Sequence, residues 1–304
     1  MIKFMKRRED FMMKKINVKA YAKINLFLNI TSVMENGFHE IDSVMQTVSL
    51  ADELSVCVSE SEVTEITVRC ASAYAPEGRD NIVFRTAEVF LDRIGKTARV
   101  EIELTKKIPS PAGMGGGSAD AAAVLRALGE ALGIGDTELL EDIAAEIGSD
   151  VPFCVCGGTS LAGGRGELLA PCEPIADCYI VIGCGGDKMP TPKAFRMLDE
   201  KYDRFRYERN IESAEDFLKT CESPEKMAGA LYNIFEEVTA GSCPSVEKIK
   251  SEIMRGGALG ALMSGSGPSV FGIFDDENKA KEVAEKIKKN GDFAAVCTPI
   301  KRYL

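Results

Sequence analysis

The sequence is poor in several residue types on which other protein classes depend. It has no tryptophan and a single histidine, His39, and aromatic residues make up only 7% of its 304 positions. A structural zinc site would lack ligands, because Cys154 and Cys156 are separated by one residue rather than two. No stretch approaches the roughly 20 apolar residues of a membrane span. These shortages argue against a zinc site and against a membrane protein.

Positive charge is also in short supply. The chain has 37 lysine and arginine residues against 47 aspartate and glutamate residues, for a net charge of −10. Binding along a nucleic-acid backbone requires a basic surface that releases counterions. We therefore expect no nucleic-acid partner, and any phosphate site must be local.

The amino-terminal segment lacks the apolar run of a secretory signal. Four charged residues at positions 7–10 stand where such a run would be needed. The patterned sequence begins only at Ile16, so the first dozen residues are expected to fray. Without a signal, the ten cysteines are expected to be reduced thiols rather than disulfides. We expect a cytoplasmic protein.

The length predicts two compact units that share a cleft. A chain of 304 residues exceeds the usual size of one domain, and its 45% apolar and 28% charged residues are typical of globular proteins. Paired glycines at 157–158 and 163–164 interrupt the pattern. We predict a boundary there, with units at 1–164 and 165–304.

Hydrophobic periodicity predicts strands and helices in alternation. In the first unit, segments 16–30 and 38–50 predict a hairpin, and alternation predicts strands at 54–58, 63–69 and 99–104. Helices are expected at 81–94, with Asp80 as N-cap, and at 137–147, and a strand is expected around Val151–Cys156. In the second unit, strands are expected at 179–183, 259–263, 270–274 and 293–299, with helices between 191 and 253 and at 277–289. This order fits an α+β domain.

A glycine-rich segment, PSPAGMGGGS at 109–118, precedes a run with helical spacing. Glycine lets backbone N–H groups converge on an anion, and the start of a helix is positive. The segment is neither a Walker A loop nor the GxGxxG fingerprint. Taken alone, it is typical either of a phosphate site or of a tight connection.

Three segments in this order resemble the three motifs of the GHMP small-molecule kinases. They are AKINL at 22–26, PSPAGMGGGSA at 109–119 and MSGSGP at 263–268. Two more, GFHE at 37–40 and IGSDVPF at 147–153, resemble the member of that superfamily that phosphorylates a cytidine-diphosphate isoprenoid precursor. The resemblance runs from about residue 15 to residue 274.

The resemblance implies a fold and an activity. The fold is α+β, with an N-terminal domain like domain 2 of ribosomal protein S5, a ferredoxin-like C-terminal domain, and a groove in which ATP and acceptor meet. The activity is transfer of phosphate from ATP, with Mg²⁺, to the 2-hydroxyl of a small molecule that carries a cytidine diphosphate group. That reaction belongs to the non-mevalonate route to isoprenoids.

Position by position, Asp150 matches the catalytic acid of the family and Lys23 its partner. A carboxylate can accept the proton of the acceptor hydroxyl, and an ammonium stabilises the charge of the transferring group. The two side chains are expected to touch. By alternation, Asn25 and Phe27 share a face with Lys23. Asp150 as a capping residue and Asn25 as an exposed strand amide are the competing interpretations.

Three further residues match the acceptor side of the family site. The resemblance implies that Phe38 stacks on cytosine, that His39 hydrogen-bonds its edge, and that Phe195 covers the opposite face. The competing interpretations are a structural histidine and a core residue of a helix that begins at Thr191.

The ATP side follows from the same resemblance. Asn81 and Lys107 match adenosine contacts, although a helix cap and a solvated lysine are competing interpretations. Segment 264–268 matches a loop that closes over the transferring phosphate. No aspartate or glutamate identifies itself as a metal ligand. The expected phosphate-loop contacts are Pro109, Ser110, Pro111, Ala112, Gly113, Met114, Gly115, Gly116, Gly117, Ser118 and Ala119.

Three positions depart from the family pattern, and two other functions compete. Tyr21 replaces a proline, Ala119 a second loop serine, and Phe38 a tyrosine. Another GHMP kinase, for homoserine, mevalonate or a sugar, would have no use for a cytidine site. A non-catalytic RNA-binding protein with a ribosomal-type domain would need a basic face, which the acidic composition disfavours.

Overall fold

The computed structural model of the chain describes residues 13–72, 74–187, 189–202 and 212–303. Within them lie eleven strands and ten α-helices. The expectations about a signal and about fraying of the first dozen residues fall outside the described residues. All ten cysteines are free, and eight of them are buried.

Eight of the eleven strands coincide with predicted segments, and the predicted segments 38–50 and 54–58 form one strand. The strands Thr159–Gly163, Leu168–Cys172 and Tyr232–Asn233 were not predicted. The eleven strands are β1 (Lys14–Val33), β2 (His39–Glu60), β3 (Glu65–Arg69), β4 (Ala98–Thr105), β5 (Thr159–Gly163), β6 (Leu168–Cys172), β7 (Tyr179–Cys184), β8 (Tyr232–Asn233), β9 (Gly260–Met263), β10 (Val270–Phe274) and β11 (Phe293–Cys297).

Most of the helices also lie where the hydrophobic periodicity predicted them. The helices are α1 (Ile82–Arg93), α2 (Gly116–Leu132), α3 (Thr137–Ile147), α4 (Val151–Cys156), α5 (Thr191–Lys201), α6 (Ala214–Leu218), α7 (Pro224–Gly229), α8 (Glu236–Thr239), α9 (Pro244–Arg255) and α10 (Glu277–Lys289). Short 3₁₀ turns occur at Gly78–Asp80 and Ala240–Ser242.

A seven-stranded sheet combines six strands of the first unit with β8, which comes later in the chain. The strand order is β3-β4-β2-β1-β8, and β5 branches from β2 and carries β6. The predicted antiparallel hairpin of β1 and β2 is confirmed. Strand β2 is long enough to serve two neighbours, because residues 43–46 pair with β5 and residues 53–60 pair with β4. Helices α1 to α4 bury the apolar core on this sheet.

Strand β1 changes its buried face at a β-bulge, which corrects one prediction. The pairing with β2 shifts register between Asn25 and Phe27, and a bulge inserts one residue into a strand. Phe27 therefore packs with Ile24 and Leu26 in the core, whereas Leu28 lines the cleft. Simple alternation had placed Phe27 beside Lys23.

A strand prediction and a helix-cap prediction are also corrected. Residues Val151–Cys156 form helix α4 rather than a strand, with Pro152 in its first turn. All six residues are buried, so their periodicity carried no information. At α1 the cap is Asn81 instead of Asp80, because the Asn81 side chain accepts a hydrogen bond from the Val83 N–H.

A four-stranded antiparallel sheet forms the second unit, in the order β11-β7-β10-β9. With α9 between β7 and β9 and α10 between β10 and β11, this is a split β-α-β arrangement of the ferredoxin type. Strand β6, at Leu168–Cys172, still belongs to the first sheet. We therefore propose a division between residues 172 and 179, later than the sequence-based boundary at 164–165.

Candidate active site

The glycine-rich segment connects β4 to α2 on the wall of a cleft between the two units. Gly113 and Gly115 have φ angles of +76° and +65°, which favour glycine. A Cβ on Gly113 would lie 2.1 Å from the Ser264 carbonyl oxygen, so the β9–β10 turn packs directly on the loop. Ser264 Oγ donates to the Gly113 carbonyl at 2.9 Å. The first residues of α2, 116–118, line the cleft with N–H groups that lack helical partners.

Lys23 lies on β1 beside this loop. Its side chain is only 7% exposed, and its ammonium is 3.5 Å from Asp150 Oδ2. The ammonium also donates to Asn25 Oδ1 at 2.8 Å. A Cβ on Gly115 would lie 3.0 Å from Lys23 Cγ, so the absent side chain gives the lysine its room. The expected contact between Lys23 and Asp150 is present.

Asn25 is fixed by a buried hydrogen-bond chain. Its Nδ2 donates to Ser43 Oγ at 2.9 Å, and that hydroxyl donates to the Phe27 carbonyl at 2.6 Å. Both polar ends of the amide are therefore used, because its oxygen already accepts from Lys23. The arrangement excludes the exposed-amide interpretation. Asn25 instead fixes the orientation of the Lys23 ammonium.

Asp150 immediately precedes α4, but its side chain makes no capping hydrogen bond. About a third of it is exposed, at 33%. The capping interpretation is therefore not supported. The carboxylate instead faces the cleft, with Lys23 as its charged neighbour.

Two adjoining cavities meet at Asp150. The first, of about 390 Å³, contains the glycine-rich loop, Lys23 and Asn25. The second, of about 620 Å³, lies between segment 37–39 and the start of α5. A ligand in one cavity could thus meet a ligand in the other at this carboxylate. Six residues line both cavities: Ile41, Ser118, Asp150, Arg165, Thr191 and Phe195.

Most of the expected phosphate-loop residues line the first cavity, and four expected ATP contacts do not. Met114 and Ala119 are buried in the core, so the missing hydroxyl at position 119 would not have faced the cavity. Asn81 uses its oxygen as the cap and its Nδ2 to donate to the Pro76 carbonyl at 2.7 Å. Lys107 pairs with Glu53 on the exposed side of the sheet. The loop residues that line the cavity are Pro109, Ser110, Pro111, Ala112, Gly113, Gly115, Gly116, Gly117 and Ser118.

Phe38, His39 and Phe195 all line the second cavity. Phe38 is 52% exposed, unusually open for a phenylalanine. His39 Nε2 lies 2.7 Å from Asp199 Oδ1. Its ring is 4.5 Å from the Phe195 ring, centroid to centroid, and Phe195 also meets Phe235 edge-on. Phe195 thus both joins the cavity wall and packs on the core.

Sequence reasoning missed a charged cluster beneath the loop. The Lys106 ammonium contacts Asp120 Oδ2 at 2.6 Å and an oxygen of Asp52, and all three side chains are at most 2% exposed. Asp52 also accepts from the Ile108 N–H at 2.8 Å. Burial raises the pKa of Asp120 to about 8, opposed by the charge of Lys106 and reinforced by that of Asp52. The signal was an aspartate inside the alanine-rich face of α2.

Arg165 is the second residue that the sequence did not single out. It lies in the β5–β6 turn, and its guanidinium carbon is 5.0 Å from the centroid of the Phe38 ring. The available signal was an arginine flanked by glycines in GGRGE.

The donors in the cleft suit a metal that arrives with ATP. Among the described residues there is no group of three or more histidine, cysteine, aspartate or glutamate side chains that could hold an ion. Of the carboxylates that the structure describes, Asp150 alone lines the first cavity, with Ser110 and Ser118 as hydroxyl neighbours. Mg²⁺ is usually bound by one or two carboxylates together with substrate phosphates and water. The residues present fit that arrangement.

Two family models match the chain. The GHMP kinases N terminal domain matches residues 81–158, and the GHMP kinases C terminal domain matches residues 214–292. Separately, none of the helices in the described residues is both long and apolar enough to cross a membrane.

Named relatives cover nearly the whole chain. A 4-diphosphocytidyl-2-C-methyl-D-erythritol kinase of Exiguobacterium sibiricum is 41% identical over 272 residues, which is 88% of this chain and 92% of the relative. A crystal structure of 4-(cytidine 5'-diphospho)-2C-methyl-D-erythritol kinase superposes with a TM-score of 0.77 at 30% identity, covering 93% of this chain and 99% of that one. Homoserine kinase from Cytophaga hutchinsonii gives a TM-score of 0.70 at 21% identity, with 99% and 98% covered, and so shares the fold.

Proposed function

The chain belongs to the GHMP kinases, in the family of 4-diphosphocytidyl-2-C-methyl-D-erythritol kinases, and from that membership we propose that it phosphorylates the 2-hydroxyl of 4-diphosphocytidyl-2-C-methyl-D-erythritol with ATP. It is a small-molecule kinase. The observation that carries the substrate proposal is the pair of cavities that meet at Asp150, one with a glycine-rich loop and one with Phe38 and His39. The first suits a triphosphate and the second a planar base.

In this proposal Asp150 accepts the proton of the acceptor hydroxyl as that oxygen attacks the γ-phosphorus of ATP, and the bond from that phosphorus to the β,γ-bridging oxygen breaks to release ADP. Lys23, held by Asn25, holds the carboxylate in place and stabilises negative charge that moves onto the transferring group. Because phosphoryl transfer asks little covalent chemistry of the protein, positioning and charge stabilisation do most of the work.

The backbone N–H groups at the start of α2 hold the phosphates, and the β9–β10 turn supports the loop from the other unit. Asp150, Ser110 and Ser118 are the residues that would approach Mg²⁺. The ion neutralises phosphate charge when it is bound. We place the protein in the cytoplasm, where its ten free thiols would stay reduced.

A coupled assay of ADP release tests the proposal. The purified protein is offered 4-diphosphocytidyl-2-C-methyl-D-erythritol, homoserine, mevalonate and galactose in parallel. We expect turnover of the cytidylylated acceptor alone. Turnover of one of the other three acceptors, without the first, would mean that the chain is a GHMP kinase with a different substrate. It shares the fold of such kinases at low identity.

A further inference from the structure

Arg165 is held at the junction of the two cavities by its turn. The Gly166 N–H donates to the Gly163 carbonyl at 2.9 Å, and the Ile41 N–H of β2 donates to the Gly164 carbonyl at 2.8 Å. Gly164 and Gly166 have φ angles of +62° and +113°, so the turn depends on glycine on both sides of the arginine. These bonds fix the arginine backbone against β2.

The same turn lies beside the reacting carboxylate. A Cβ on Gly166 would be 3.7 Å from Asp150 Oδ1. From there the arginine side chain reaches the Phe38 ring, with 5.0 Å between the guanidinium carbon and the ring centroid. The turn that carries the arginine thus lies beside Asp150, and the guanidinium lies against the aromatic wall of the second cavity.

Arg165 is distinctive among the cations of the cleft. Of the described lysines and arginines that line these two cavities, Lys23 lines the first, Arg196 lines the second, and Arg165 lines both. Lys23 is committed to Asn25 and Asp150. Arg165 is 39% exposed and is 3.5 Å from Glu167, a long contact that an anionic ligand can replace.

We propose that Arg165 binds the diphosphate of the acceptor and so sets the distance between the base and the hydroxyl that reacts. This inference rests on the proposed function. In a cytidine diphosphate ester the two phosphates lie between the base and the alcohol, which is where Arg165 lies between Phe38 and Asp150. A planar guanidinium can bond two phosphate oxygens at once, whereas an ammonium acts as a point charge.

The test is calorimetric titration of cytidine, CMP and CDP into the wild-type protein and into Arg165→Gln. We expect the variant to lose about tenfold or more in CDP affinity, the scale of a charge-assisted hydrogen bond, with cytidine affinity unchanged. Arg165→Lys should recover part of the loss. In steady-state kinetics, Arg165→Gln should raise the acceptor KM with little change in kcat.

Glu167→Gln is the matched control, because it removes the ion pair but can still accept from the Arg165 N–H. It should keep or improve CDP affinity. Equal losses for cytidine and CDP, or equal losses in Glu167→Gln and Arg165→Gln, would mean that the turn matters and the diphosphate contact is wrong. If the wild type binds CDP but Arg165→Gln binds it equally well, this inference alone fails. If the wild type binds neither cytidine nor CDP, the proposed function fails with it.

Discussion

Lys23 and Asp150 form one unit in the cleft, since the lysine ammonium is shared between Asn25 and that carboxylate. We predict that Asp150→Asn lowers kcat by about 10²- to 10⁴-fold, the scale of a positioned general base, and leaves ATP binding intact. Lys23→Ala should act similarly. The double variant should be far less damaged than the product of the two single losses, because each residue works through the other. Measured kcat values for the four proteins decide it, and full multiplicativity would mean that they act separately.

His39 offers a clean probe of the second cavity, because its imidazole resonances can belong to no other histidine of the sequence. We predict that CMP or CDP, added without ATP to untagged protein, shifts these resonances in an NMR titration. UMP should shift them less. A site whose hydrogen bonds satisfy cytosine would leave a polar group unpaired with uracil, at a cost of about 1–3 kcal/mol. His39→Ala should raise the acceptor KM with kcat nearly unchanged.

Asp199 supplies the control for this experiment. It pairs with His39 Nε2 at 2.7 Å, so Asp199→Asn should move the resonances without any nucleotide. If saturating CDP leaves the wild-type resonances in place while that variant moves them, the probe works and the cytidine contact is absent.

At the scale of elements, adjacent glycines of the phosphate loop have different roles. A Cβ on Gly117 would meet only Ile82 at 3.8 Å, whereas one on Gly116 would lie 3.1 Å from Ile108 and 3.5 Å from the Lys106 ammonium. We predict that Gly117→Ala raises the ATP KM by about 5- to 30-fold, or roughly 1–2 kcal/mol, at unchanged melting temperature, because the new methyl crowds the phosphate approach. Gly116→Val should instead lose stability, by about 1–3 kcal/mol.

Gly135→Ala is the matched control for the loop variants, since a Cβ there meets nothing within 4 Å. Nucleotide titration and thermal melting of the three proteins separate the two roles. A normal ATP KM in Gly117→Ala would argue that phosphate binds elsewhere along the loop.

The elements that the sequence predicted well are those with one buried face. Strand β4 alternates strictly and α10 is amphipathic, and both lie where the periodicity placed them. Helix α4 was misassigned because it is buried on all sides, and the cleft face of β1 was misread because a bulge is invisible to a strict two-residue period. The catalytic candidates Lys23 and Asp150 were found because each lies in a segment that resembles a family motif. The local sequence signals at Asp120 and Arg165 do not show which side chains these residues contact, because those contacts join elements that are distant in sequence.

For the molecule as a whole, the buried Lys106 cluster predicts that stability depends on pH. The folded pKa of Asp120 is raised to about 8, so between about pH 4 and pH 8 the folded protein holds a proton that the unfolded chain releases. Stability should therefore fall as pH rises across that window, by at most about 1.4 kcal/mol per pH unit. Besides Lys106 and Asp52, the Cys70 thiol faces this group, and because burial raises the pKa of that thiol from its ordinary value, it is uncharged across this window.

Urea unfolding at about pH 6 and about pH 8 checks this dependence. We expect Asp120→Asn to flatten the decline, whereas Asp142→Asn, on the exposed face of α3, should retain it. The same slope in Asp120→Asn as in the wild type would assign the pH dependence to other groups.

The far end of the chain completes the first unit. The Tyr303 hydroxyl donates to the Cys154 carbonyl at 2.7 Å, 149 positions earlier, and a Cβ on Gly157 would lie 2.2 Å from its ring. Residues 299–300 extend the edge of β2 through Val48 and Thr47. A nascent chain emerges from the ribosome in sequence order and generally folds domain by domain. Here six of the seven strands of the first sheet are synthesised by residue 172, but β8 and the Tyr303 contact with the helix that follows Asp150 come later in the chain, so we expect the active site to be completed only after residue 303 has been made.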